Sequence, residues 1–482
     1  MSLAARTVRG AAVSVAAGLT SRLIGLVATL LLTHFLAPAE YGEVAIATIV
    51  VMTVFQFSSL AVGVYLTSHP KAGPDVVFHA TVIHVTLATV ALVLSLIVSQ
   101  AGAFFQVPQL GRFAPLLALA FYVDRLAAMP ERMLLRKLAF PRVSMTRALG
   151  EVTYAATAIV FAVSGAGGMA VVFGNLARSF LRSGILLRSV RLAEWASPVK
   201  LDRGLLATLA RHGFWVSLGA LTDFAARKWD NVIVGKMFGP SVAGTYNLAY
   251  NLAELPALQV GEPINDVLQV TYAHAPEGER ENALRRSMAI LALVMGPLAF
   301  GLAAVAQTVT LVVFPAKWSG LGPMMTVLAI LSFLRPVEGA VASYLYARAV
   351  PRIVGTVESV GLVLVLGLLW TVGRTSPLAA TLAVLGAVVL RGLLYGIAVR
   401  IVEKMRVLAL FFAVLPPLLA SIAMAAVVGP IPHWVTWGPK VTLAVQVLVG
   451  AVAYPVFALL LARTASRDFL KLVRESLLRR RR

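Results

Sequence analysis

Gly10-Ala-Ala-Val-Ser14 and Gly213-Phe-Trp-Val-Ser217 open two apolar runs in the same pattern. Each run ends at a matching short hairpin, Pro38-Ala-Glu-Tyr-Gly42 and Pro240-Ser-Val-Ala-Gly244, with Gly-to-Pro separations of 28 and 27 residues. A pattern that returns after about two hundred residues in an apolar chain is an internal repeat. The segments between the copies set its geometry. If six of them cross a bilayer, an even number, both copies run in the same direction through it. That is a parallel repeat, with two lobes related by an axis along the membrane normal.

Composition supports the membrane reading. The chain has 482 residues, of which 59% are hydrophobic and 13% charged, and its mean hydropathy is +0.86. Soluble domains carry roughly 25% charged residues, so one water-soluble core cannot absorb this surplus of apolar side chains. Fourteen apolar segments follow one another: 10–34, 41–66, 75–99, 112–129, 143–164, 168–190, 212–236, 240–262, 288–314, 321–347, 353–373, 377–399, 407–429 and 440–462. At 1.5 Å per residue, each suffices to cross a hydrocarbon layer of about 30 Å. The fourth is the shortest, and the seventh and eighth carry several charges. The expected fold is an all-α polytopic membrane protein. It has a six-helix lobe over 1–190, a linker over 191–211, a second six-helix lobe over 212–400, two additional helices over 401–462 and a basic tail over 463–482.

The net charge of +21 follows the same map. With the N-terminus in the cytoplasm, 28 of the 42 lysines and arginines fall in cytoplasmic segments. Five, namely Arg112, Lys236, Lys317, Arg374 and Lys440, fall outside, and the rest lie within spans. Such a bias sets topology in multi-pass proteins, so both termini are expected in the cytoplasm of a bacterial cell. The Arg479–Arg482 run reads as a topology determinant that touches anionic lipid heads, and no nucleic-acid partner is expected.

Several chemistries are excluded. The chain has no cysteine, hence no disulfide, thiolate metal site or cysteine nucleophile. No nucleotide-binding or hydrolase motif occurs, and no extracytoplasmic loop exceeds about a dozen residues, too short for a glycan polymerase or ligase domain. His79 and His84 are five apart and do not stack on one helix face as metal ligands would. No cofactor and no metal are expected.

Three further segments carry a family resemblance. Leu36-Ala-Pro-Ala-Glu-Tyr-Gly42 resembles an L-x-P-x-x-Y-G hairpin, and Met129-Pro-Glu-Arg-Met-Leu-Leu-Arg-Lys-Leu-Ala-Phe140 a P-x-x-x-L-x-R-x-x-F segment. Asp230-Asn-Val-Ile-Val-Gly235 with Gly244-Thr-Tyr-Asn-Leu-Ala-Tyr250 is similar to D-x-x-x-[IV]-G…G-x-Y-x-x-A-Y. All are features of the polysaccharide transporter family, O-antigen and exopolysaccharide flippases of the multidrug/oligosaccharidyl-lipid/polysaccharide exporter superfamily. The resemblance covers about residues 5–350. It implies a transporter rather than an enzyme, one that moves undecaprenyl-diphosphate-linked oligosaccharide to the outer leaflet on an ion gradient. It also implies membrane lipids as neighbours, with a polymerase and chain-length or export proteins as partners. A drug/cation antiporter on the same architecture is the second reading, and a membrane glycan polymerase or ligase the third.

Charges inside spans are costly and mark function or pairing. Arg22, Arg125, Arg147, Arg178 and Arg182 against Asp124 and Glu151 leave the first six spans at +3. The remaining spans balance at −2, which suits an anionic diphosphate held by the first lobe. Arg125, Arg147, Arg182 and Arg391 lie near the cytoplasmic surface, where they can snorkel. Arg147 is expected to pair with Glu151, and Arg335 with Glu338. Arg22 and Arg178 stand alone in mid-span, so these two, with Arg182, are the expected diphosphate ligands. Arg227, Lys228 and Arg335 are further cavity cations. Glu254, on a stripe with Asn247 and Asn251, and Glu358, alone in its span, are expected ion-coupling groups, with Asp223 and Asp230. Gln56, Tyr65 and Tyr250 face a sugar path or pack between helices, and Pro297, Pro336 and Pro416-Pro417 mark kinks.

Overall fold

Prolines start many of the helices. Pro74, Pro351, Pro377 and Pro439 each sit in a first turn, where a missing N–H costs nothing and the fixed φ is already helical. The structure, a computed structural model, describes residues 18, 20–21, 23–57, 73–435 and 437–479. Gly10–Ser14, Tyr65 and Lys71 lie outside these residues, as do Arg480–Arg482. No strand occurs among the described residues.

The chain divides into two compact units, the first ending at Gly244 and the second starting at Thr245. In the first, the longer helices are α1 (Leu23–Phe35), α2 (Pro38–Phe57), α3 (Pro74–Val98), α4 (Leu110–Leu126), α5 (Ala128–Arg136), α6 (Phe140–Val163), α7 (Met169–Ser189) and α8 (Arg203–Phe238). One apolar core joins Leu32, Leu36, Ile46, Phe55, Phe113, Leu117 and Val172 with Val232 of α8. A second, around Val77, Met129, Met133, Leu134, Leu186 and Leu209, fastens α5 and the start of α8 to α3 and α7.

The segment before α8 is tied down by α3. The His79 Nε2 accepts from the Asp202 N–H at 2.7 Å, and Thr81 Oγ1 donates to the Trp195 carbonyl at 2.7 Å. The His79 Nδ1 lies 2.7 Å from the Asp75 carbonyl. Both partners together require the Nδ1-protonated tautomer.

In the second unit, α9 (Pro240–Pro256, which begins in the first unit) continues through a π-helical turn, Ala257–Gly261, into α10 (Glu262–His274). There follow α11 (Arg280–Val313), α12 (Leu321–Ala329), α13 (Leu331–Ala347), α14 (Pro351–Thr371), α15 (Pro377–Glu403), α16 (Val407–Val428), α17 (Pro439–Leu461) and α18 (Arg463–Arg479). Leu291, Met295, Phe333, Tyr344, Val357, Tyr395 and Leu410 form its core. Helices α11, α13 and α16 run through Pro297, Pro336 and Pro416-Pro417.

Among the described residues, ten helical segments are long and apolar enough to cross a membrane. The fifth, seventh and eighth predicted spans are helical as α6, α8 and α9 but are not among the ten. Arg147 and Glu151 make α6 less apolar, Asp223, Arg227, Lys228 and Asp230 interrupt α8, and α9 is only 17 residues long before the π turn. The first predicted span is described only from its middle, as the short apolar α1. The apolar face of α17 is mostly uncovered by protein, with Val447, Leu448 and Val452 more than half exposed, as expected of a helix that faces lipid.

Candidate functional site: two clusters of membrane charges

In the first unit, arginines and acids gather where α4, α5, α6 and α7 meet. Arg182 Nη2 donates to Glu131 Oε2 at 2.6 Å, and its Nη1 lies 3.6 Å from Asp124 Oδ1. Arg147 Nη2 donates to the other oxygen of Glu131 at 2.7 Å. The expected Arg147–Glu151 pair is not the one formed. Glu151 instead takes Arg178 Nη1, at a long 3.4 Å, while Arg178 Nη2 donates to Asn175 Oδ1 at 2.6 Å. The Arg178 guanidinium also lies over the Tyr154 ring, 5.4 Å from its centre. Arg178 is therefore not isolated, though its side chain and that of Arg182 are each 26% exposed. Arg125 donates to the Phe55 carbonyl at 3.1 Å rather than snorkelling freely. Arg22 lies outside the described residues.

Glu131 is the residue that sequence reasoning missed here. It lies past the end of the fourth predicted span, where the sequence reads as a loop. The chain stays helical through Arg136, and that extra turn carries Glu131 back to Arg147 and Arg182. The signal was present, since Pro130-Glu131 opens a segment with no turn residue after it. Its carboxylate is shared between Arg147 and Arg182.

On α8, Arg227 Nε bonds Asp223 Oδ1 at 3.0 Å. Asp230 is fully buried, and its Oδ1 accepts from the Asn231 backbone and side-chain amides at 2.9 and 2.8 Å. Lys228 is half-buried on the same helix.

The second unit holds a drier network. Arg335 donates to Glu254 and to the Tyr250 hydroxyl, with its guanidinium 5.1 Å from the Tyr250 ring centre. The predicted Arg335–Glu338 pair gives way to a longer-range partner. Glu338 is held by Arg391, whose Nη2 and Nε donate to Glu338 Oε2 at 2.6 and 3.2 Å. Arg391 Nη1 reaches Glu358 Oε2 at 3.0 Å, and the Tyr395 hydroxyl donates to the other oxygen of Glu358. Glu358 is thus not alone, and Arg391 is 11% exposed rather than snorkelling. Two arginines face three glutamates in these buried contacts. Ionised pairs this deep persist only when their remaining bonds are well made.

Glycines make room for this network. A Cβ at Gly361 of α14 would stand 2.5 Å from Arg391 Cδ. The side chain therefore crosses bare backbone on its way to Glu358.

A helical membrane scaffold of this kind, with charges paired between its helices, is one whose fold solved structures of multi-pass transporters share. A lipid II flippase, MurJ, in an inward closed conformation superposes with a TM-score of 0.76 over 93% of this chain and 98% of that one, at 14% identity. An inward-facing multidrug resistance MATE transporter gives 0.57 over 84% and 96%, also at 14% identity. Sequence carries the assignment further. The chain belongs to the polysaccharide biosynthesis protein family, whose model matches residues 31–323. Curated relatives include the lipopolysaccharide biosynthesis protein WzxC of Escherichia coli strain K12, 22% identical over 72% of this chain and 71% of that protein. The teichuronic acid biosynthesis protein TuaB of Bacillus subtilis is 27% identical over 73% and 74%. The succinoglycan biosynthesis transport protein ExoT of Rhizobium meliloti is 24% identical over 92% and 91%. The chain is a multi-pass membrane transporter of this family and not an enzyme.

Proposed function

We propose that this protein flips an undecaprenyl-diphosphate-linked oligosaccharide across the bacterial inner membrane, for assembly of a surface polysaccharide. The observation that carries the reading is the family match over residues 31–323. A drug antiporter shares the fold, but the relatives that align at sequence level are named for polysaccharide biosynthesis. In this reading the chain crosses the membrane fourteen times with both termini in the cytoplasm, and lobes 1–190 and 212–400 alternate access to a path between them. A polymerase and export proteins take over the product.

The diphosphate is held in the first lobe by Arg22, Arg178 and Arg182. The long Arg178–Glu151 contact and the part-exposed guanidiniums favour this. A guanidinium whose carboxylate contact is this long can exchange it for phosphate oxygens. Arg227, Lys228 and Arg335 are further cations along the path. Ion coupling falls to the acids, Glu254 and Glu358 foremost, with Asp223 and Asp230. Carboxylates within spans commonly mark ion or proton pathways, which favours this.

The test is reconstitution of the purified protein in proteoliposomes with a fluorescent undecaprenyl-diphosphate oligosaccharide, with and without an imposed ion gradient. Gradient-dependent loss of inner-leaflet fluorophore is expected. No translocation of the lipid-linked sugar, together with export of a cationic dye, would replace this reading with the antiporter.

A further inference from the structure

The second unit contains a cavity away from its buried Arg–Glu network. It has a volume of about 590 Å³ and lies where the start of α11 meets the end of α17, the start of α18 and α16. One side is apolar, formed by Ala289, Phe412, Pro416, Pro417 and Leu461. The rim is cationic, with Arg285, Arg286 and Arg463 against a single acid, Asp468. Asp468 Oδ2 accepts from Arg286 Nε at 2.9 Å, and Arg285 Nη2 bonds Asn282 Oδ1 at 3.1 Å. One of three guanidiniums is thus matched by a carboxylate, which leaves the rim at about +2. The rim is firmly built. Ala420, Ala458, Ala462 and Ala465 pack with Leu293 and Phe469 under α18, and Ser466 Oγ bonds the Ala458 carbonyl at 3.0 Å. Beside the cavity the surface is apolar, with Leu408, Phe411 and Phe412 all more than half exposed.

An apolar wall below a cationic rim, at the end of membrane-crossing helices, fits an amphiphile with an anionic head. Cavities of this size hold small ligands, and basic pockets between transmembrane helices bind lipid head groups. We propose that this cavity binds an anionic phospholipid. Its phosphate lies among Arg285, Arg286 and Arg463, and the first part of its chain runs along Phe412, Pro416 and Leu461. Arg467, Lys471 and Arg474 of α18, all exposed, extend the positive field along the same surface. The assignment does not depend on which sugar the protein carries or how it is driven.

The test uses the full chain, purified in detergent and stripped of lipid. Phosphatidylglycerol, phosphatidylcholine, undecaprenyl monophosphate and inorganic phosphate are added in separate arms. Binding is followed by native mass spectrometry and by the thermal midpoint. Phosphatidylglycerol is expected to bind and raise the midpoint, with phosphatidylcholine and inorganic phosphate giving little. The Arg285→Gln/Arg463→Gln variant changes two exposed side chains, so it folds, and its phosphatidylglycerol affinity should fall about tenfold or more. Asp468→Asn should shift affinity the opposite way. Phosphatidylglycerol retained equally by the double variant, or matched by phosphatidylcholine, overturns the site. Binding of undecaprenyl monophosphate alone overturns the phospholipid as its occupant.

Discussion

Gly42 and Gly244, the last residues of the two repeated hairpins, meet backbone to backbone. A Cβ built on Gly42 would lie 1.9 Å from the Pro240 carbonyl oxygen, and one on Gly244 would lie 2.0 Å from that of Pro38. The contact is reciprocal, as expected where two copies of one sequence pattern cross. Only hydrogen fits at either position, so the first turns of α2 and α9 pack as closely as backbones allow. Gly42→Ala and Gly244→Ala are each expected to force these turns apart. Overpacking of this kind costs about 1–3 kcal/mol. A lower thermal midpoint of the purified variants, with reduced surface polymer at matched expression, checks it. Unchanged midpoints would show that the turns separate freely.

Arg391 holds Glu338 and Glu358 together, so its loss leaves both carboxylates without the arginine that bridges them. Arg391→Met should destabilise the protein by about 3–5 kcal/mol, the range for breaking a buried pair from one side. Glu358→Gln should cost less, because Tyr395 can still donate to the amide oxygen. Thermal unfolding in detergent orders the variants, and the reverse order would contradict the network.

Gly361→Ala reaches the same arginine from the opposite side. The added methyl would sit 2.5 Å from Arg391 Cδ, and a guanidinium anchored at both ends cannot swing clear without giving up a glutamate. A drop in thermal midpoint is expected in this variant and largely absent in Gly361→Ala/Arg391→Met. Such non-additivity is the mark of residues in contact.

Arg178 and Glu151 should respond in opposite directions. Arg178→Ala should weaken capture of the lipid diphosphate about tenfold, since charge-assisted hydrogen bonds contribute roughly 1.5–3 kcal/mol. Arg178→Lys keeps the charge, loses the fork and should recover only part of it. Glu151→Gln frees the arginine and should tighten capture. The affinity of proteoliposomes for the lipid-linked sugar decides this, and equal loss in Arg178→Ala and Glu151→Gln would make the pair purely structural.

His79 and Thr81 pin the segment 195–202 to α3. His79→Ala/Thr81→Val removes both anchors and leaves the Asp202 N–H and the Trp195 carbonyl without these partners, at about 0.5–1.5 kcal/mol for each hydrogen bond lost at this part-exposed site. Limited proteolysis should cut this segment faster in the variant, and an unchanged rate would show that the anchors contribute nothing.

Much of the architecture was legible in residue order alone. Apolar runs of membrane length, the cationic bias between them and the repeated Gly…Pro hairpins are one-dimensional signals, set by hydrocarbon thickness and helix rise. The apolar runs placed most of the helices, and three short motif segments carried the family resemblance. Pairing of the charges was not legible in this way. Sequence proximity favoured Arg147 with Glu151 and Arg335 with Glu338, four and three positions apart on one helix. The folded protein pairs Arg147 and Arg182 with Glu131, Arg178 with Glu151, Arg335 with Glu254, and Arg391 with Glu338 and Glu358. A charge taken out of water is satisfied by whichever opposite charge the packing brings within about 4 Å. Which helix supplies it depends on where glycines such as Gly361 let side chains and backbones approach. Residue order determined what this chain must bury, and tertiary packing alone decided which buried groups meet.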